Sequence, residues 1–193
     1  MWEAGHPFVT GLYEQFEYSE TLQSLMLIFS VGFLMAISRQ DAVLRPMTLS
    51  LAFLLTAILF RENDWIADFY DQKTLHHVLI WTMLIILVAL PIYCRKSLGS
   101  SLRAWIIQPG KGYVECGLLT VLVFAQLFGR KSYWTEFMNV NFERWVKNAV
   151  EEGVESLGYC LILFGVIDLF IAVRSKLSDQ KSQENNSKIS KDI

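Results

Sequence analysis

The sequence predicts an all-α integral membrane protein, a bundle of about five transmembrane helices with amphipathic interfacial helices and a disordered C-terminal tail. Three observations predict it. Apolar residues make up 53% of the 193 residues and charged residues 19%, against about 45–50% and about 25% in soluble domains. The apolar residues fall in runs of about 17–19, and at 1.5 Å rise per residue such a run crosses a hydrocarbon core of roughly 30 Å. The charges sit almost wholly between the runs.

The expected spans are 22–38, 45–60, 75–93, 113–128 and 156–173. The first reads LQSLMLIFSVGFLMAIS, and the 20 residues before it carry Glu3, Glu14, Glu17 and Glu20 but no Lys or Arg. A signal peptide needs a basic segment ahead of its apolar stretch, so this span reads as a retained helix. The fourth is the least apolar, interrupted by Glu115 and Gln126. Residues 1–176 then form one polytopic domain. Residues 177–193 (ending SQENNSKISKDI) hold too little apolar surface to offset ordering entropy, and they read as a disordered tail.

Lys and Arg set the orientation. With the N-terminus outside, eleven of the 17 fall on the cytoplasmic side and six outside. Five of the eleven lie in the tail, so short-loop placement decides: Arg39 and Arg45 flank a very short connection. The expected topology is N-terminus outside and C-terminus cytoplasmic, in a bacterial inner (plasma) membrane, whose thickness suits the short spans as that of an ER membrane also does.

Between the spans, SLRAWIIQ (within 95–112) reads as a short interfacial helix with Trp105 at headgroup level. From Trp134 to Val154 apolar residues recur at three and four, predicting an amphipathic helix that starts near Asn141 and runs into the fifth span. Net charge is −2, which gives no field to attract nucleic acid. Cys94, Cys116 and Cys160 match no zinc or haem spacing and read as small apolar residues.

One feature carries candidate chemistry. The second span ends in FRENDWIADFYDQ and the third begins at TLHH. Continued as helix, Arg61, Asp64, Asp68 and Asp71 recur at three and four on one stripe, with His76 and His77 across a short connection. On the fifth span Glu151, Glu155, Gly158, Ile162, Gly165 and Asp168 form a seam of acidic and small residues, and small residues let membrane helices approach closely. Glu62, Asp64, Asp68, His76, His77, Glu151, Glu152 and Glu155 are thus candidates for one outer-surface site. So many carboxylates need a counter-charge: Arg61 and Arg144, protons, or a divalent metal. Near the cytoplasmic end, Glu115 and Asp168 are a candidate buried acidic pair, with Arg103 as an alternative partner.

These residues frame three functions. The leading one is a small non-catalytic membrane subunit, held in the lipid bilayer and joined to another membrane protein or to copies of itself. The second is a metal-dependent enzyme acting on a lipid or lipid-linked substrate at the outer interface. The third is a proton- or ion-coupled transporter, for which the sequence carries no inverted repeat.

Overall fold

In the computed structural model the described residues are 7–62, 73–138 and 144–189, with side chains from Tyr18 to Glu62, over most of 78–138, and from Arg144 to Gln183. Among them there are helices and turns but no strand. We label the helices α1 (Pro7–Gln40), α2 (Arg45–Glu62), α3 (Lys73–Tyr93), α4 (Arg95–Ile106), α5 (Lys111–Phe128), α6 (Lys131–Met138) and α7 (Arg144–Ile189). Within α5 the segment Thr120–Ala125 is π-helical.

Three stretches are long and apolar enough to cross a membrane: Tyr18–Gln40 of α1, Lys111–Phe128 of α5 and Arg144–Gln183 of α7. The other two expected spans, 45–60 and 75–93, fall on α2 and α3. α2 is 18 residues long and carries Arg45, Arg61 and Glu62 within that length.

The helices pack as a row, α5 against α7, α7 against α1, α1 against α2, and α2 against α3 and α4. The row follows from repeats in the buried residues. On α1 these are Gln23, Leu27, Ser30, Leu34 and Ile37; on α2, Thr48, Leu51, Leu55 and Ile58; on α7, Glu155, Tyr159, Ile162, Val166, Leu169 and Val173. Each set alternates steps of three and four, the 3.5-residue period that keeps one seam facing a neighbour. α7 has a second face. Gly158 and Gly165 lie one heptad apart and meet Gly117 and Gly110, so the backbones of α5 and α7 approach closely. A Cβ built on Gly117 would stand 2.6 Å from the Gly158 carbonyl oxygen and 2.9 Å from the Ile162 nitrogen. Gly110, at the α4–α5 turn, has φ 77°, a left-handed conformation that a glycine adopts freely.

The turns are locally determined. The Asp41 carboxylate accepts from the amides of Val43 (2.8 Å) and Leu44 (3.1 Å), and Arg45 Nε donates to the Ser38 carbonyl at 2.8 Å, closing α1 onto α2. Ser101 Oγ donates to the Val43 carbonyl and fastens α4 to this turn. Trp134 of α6 donates its indole N–H to the Phe128 carbonyl, one of the acceptors left free at the α5 C-terminus.

Three expectations change. The tail is helical through Ile189 rather than disordered. Nucleation is the costly step of helix formation, and here the apolar part of α7 supplies the nucleus onto which polar residues add. Trp105 is buried, 5% exposed, within the core cluster rather than anchored at a headgroup surface. Glu115 is not a buried partner of Asp168: its side chain is 51% exposed and pairs with Lys111 at 3.4 Å, one helical turn away on the same face. Asp168 is half-buried beside Gly110, where α5 begins. The expected helix start near Asn141 lies outside the described residues, and α7 is described from Arg144.

Candidate functional site

The heptad seams of α1, α2 and α7 turn polar at one end of the bundle, here called the Glu62 end. Two groups of side chains lie there, both with members on α7.

The first is centred on Arg61, the penultimate residue of α2. Its Nη2 lies 2.7 Å from Glu62 Oε1 and 3.3 Å from Glu155 Oε1. Tyr159 of α7, fully buried, donates its hydroxyl to the same Glu62 oxygen at 2.9 Å. The Gln126 amide, turned with its oxygen toward Arg61, accepts from Nη1 at 3.0 Å and Nη2 at 3.3 Å. Gln126 directly follows the π-helical segment of α5. Burial works against the Arg61 charge, but Glu62, Tyr159 and Glu155 favour it, and the guanidinium is held above its ordinary value. It is therefore a permanent cation binding α2, α5 and α7 together.

The second group is centred on Gln23 of α1, 1% exposed. Its amide nitrogen lies 2.9 Å from Ser156 Oγ, 3.1 Å from Glu152 Oε2, 3.2 Å from the Glu152 carbonyl and 3.3 Å from Ser19 Oγ. Ser19 Oγ donates to Glu152 Oε2 at 3.2 Å. A buried amide needs partners, and α7 supplies most of them, so this group binds α1 to α7. Among the described residues no buried side-chain nitrogen or oxygen lacks a hydrogen bond.

Of the eight candidate residues, Glu62 and Glu155 join the Arg61 group and Glu152 joins the Gln23 group. Glu151 pairs with Lys147 on its own helix and rests against Gly129. Asp64 and Asp68 lie outside the described residues, as do the side chains of His76 and His77 at the start of α3. Among the described residues, no three His, Cys, Asp or Glu side chains are placed to hold a metal ion. The carboxylates are engaged instead by Arg61, Lys147, Gln23 and Ser19.

Reading the sequence for charge finds Arg61 and the glutamates but passes over Gln23, Ser19, Ser156 and Tyr159. A heptad reading would have found Gln23 and Tyr159. Gln23 heads the 23–27–30–34–37 repeat and Tyr159 belongs to 155–159–162–166, so each is polar at a buried position.

Replacing Gln23 by Leu keeps the volume and removes its hydrogen bonds. Leaving Glu152 and Ser156 short of a donor in a buried setting is expected to cost about 1–2 kcal/mol. Thermal unfolding of the detergent-solubilised protein, followed by tryptophan fluorescence, measures it.

Comparison with protein-family models, with curated proteins and with solved structures finds no match to this chain.

Proposed function

We propose that this chain is a non-catalytic multi-pass membrane protein, a subunit or interaction partner of another membrane protein or of its own copies. In this reading all five expected helices span the bilayer of a bacterial inner membrane. The N-terminus and the Glu62 end lie outside, and the C-terminus is cytoplasmic.

The observation that supports it is the direction in which the polar groups point. Glu62, Glu152, Glu155, Gln23 and Tyr159 are turned on one another across helices, and Arg61 completes the set. Groups used this way fix which helices neighbour which and in what register. Buried polar contacts do this in other helical assemblies, where they specify an arrangement more than they add stability.

Neutral, nearly isosteric variants test the reading. Glu152→Gln and Glu155→Gln remove charge and keep shape. A subunit retains its cellular role with both changes, measured by complementation at normal membrane abundance, while its melting temperature shifts. Loss of the role with an unchanged melting temperature and unchanged abundance would mean the carboxylates do chemistry. For topology, a C-terminal fluorescent fusion that matures only in the cytoplasm is expected to be bright; a dark fusion at full membrane abundance contradicts the orientation.

A second reading has one observation in its favour. Of the four glutamates Glu62, Glu151, Glu152 and Glu155, three are ion-paired, with Arg61 or Lys147, while Glu152 is met by the neutral side chains of Gln23 and Ser19. A surplus of carboxylate draws a proton or a cation, as the metal-dependent enzyme and the ion-coupled transporter both require. Elemental analysis of the purified protein separates the readings: about one equivalent of a divalent metal, retained after dialysis, favours the enzyme.

A further inference from the structure

The opposite end of α7 carries a groove of about 780 Å³, formed between the end of α1 and the residues just past the apolar part of α7. Its lining includes Gln40, Phe170, Arg174, Leu177, Ser178 and Lys181. Phe170, Arg174, Leu177 and Lys181 recur at steps of four, three and four, and Ser178 stands four after Arg174, so they share one face of the helix. That face has two chemical halves. Phe170, Ile171 and Leu177 form an apolar wall that continues along the membrane-crossing stretch through exposed Phe164. Arg174, Ser175, Ser178 and Lys181 add two positive charges and two hydroxyls, and among the described residues no carboxylate lines the groove.

We propose that this groove binds the headgroup of an anionic phospholipid, with its phosphodiester between Arg174 and Lys181 and an acyl chain along Ile171 and Phe164. The chemistry favours this occupant over a free anion. The Arg174 guanidinium lies over the Phe170 ring, 5.6 Å from its centroid, which holds the charge at the edge of the apolar wall. A phosphate alone would leave that wall uncovered, whereas a phospholipid covers both halves. Among the described residues neither Arg174 nor Lys181 has an ion pair, so both charges are available. Basic pockets at the ends of transmembrane helices are a known form of lipid recognition. The inference rests on α7 crossing the bilayer and is independent of the proposed role of the Glu62 end.

Native mass spectrometry of the delipidated full chain in neutral detergent tests it, with dioleoyl phosphatidylglycerol, dioleoyl phosphatidylcholine and inorganic phosphate as probes. The wild type is expected to retain phosphatidylglycerol in preference to phosphatidylcholine. The double change Arg174→Ala, Lys181→Ala is expected to weaken phosphatidylglycerol binding about 25-fold, roughly fivefold for each cation near an anionic surface. Lys176→Ala removes a charge that does not line the groove and is expected to change little. Ser178→Asp, which leaves both cations and adds a carboxylate, is expected to weaken binding as well, and it guards against a fold defect in the double variant. Equal retention of the two lipids would overturn the proposal. So would equal loss in Lys176→Ala and the double variant, unchanged binding in Ser178→Asp, or displacement of the lipid by millimolar phosphate.

Discussion

Replacing Gly117 by Leu is expected to separate α5 from α7 and to lose the folded protein from the membrane. The neighbours of a Cβ at this position are the Gly158 carbonyl oxygen, the Ile162 amide nitrogen and Ile162 Cγ1, at 2.6–2.9 Å. Two of these are backbone atoms of a helix held in register on its other face by α1, so they cannot turn aside as a side chain would. Gly117→Ala already overpacks the crossing and is expected to cost about 1–3 kcal/mol, with the leucine variant beyond that range. Gly153 is the control. It lies on the same α7, yet a Cβ there would meet nothing within 4 Å. Gly153→Ala should therefore stabilise by about 0.5–1 kcal/mol through helix propensity alone. Unfolding in detergent measures all three, and a destabilising Gly153→Ala would show that the sign does not follow backbone proximity.

Removing the Arg61 side chain is the second large effect. It is 40% exposed, while Glu155 and Glu62 are 8% and 16% exposed. Breaking a buried pair by removing one partner costs about 3–5 kcal/mol because it strands the other charge. The partial exposure of Arg61 lowers that here, and about 2–3 kcal/mol is expected for Arg61→Ala. Arg61→Lys should recover only part of it. An ammonium is a point charge that cannot spread over Glu62, Glu155 and Gln126 as the planar guanidinium does.

The helical class and the place of three apolar stretches were legible because apolar run length and charge placement report on the solvent around each segment. The spans read at 22–38 and 113–128 fall within α1 and α5, and 156–173 falls within α7. The acidic and small-residue seam on the last span was legible too, but it combined two faces. Glu155 belongs to the heptad seam and meets Arg61 of α2, Gly158 and Gly165 belong to the face that meets α5, and Ile162 is buried in the seam yet also lies against Gly117 of α5. Steps of three and four cannot say which of two neighbours a residue meets; that depends on helix order in the row.

The candidate site was legible in its charges and not in its partners. Glutamates and an arginine stand out in an apolar sequence, whereas a glutamine, two serines and a tyrosine do not. Their role appears only once α1 and α7 are adjacent and Gln23 faces Glu152 and Ser156 across the interface. Glu115 shows the converse error: depth along a span was read as burial, but the residue faces outward and has Lys111 one turn away. The helical tail failed for a different reason, since composition reports on the isolated segment and not on the helix that feeds it.

The central claim is that the polar groups of the Glu62 end act on one another as a fastening between helices. A double-mutant cycle on Arg61→Ala and Glu155→Gln, read as unfolding free energies in detergent, tests it most directly. Residues that share one network are expected to couple by about 1–2 kcal/mol, so the double variant should be less destabilised than the sum of the single changes. Additivity within about 0.3–0.5 kcal/mol would show that the two residues act independently, and would contradict the account.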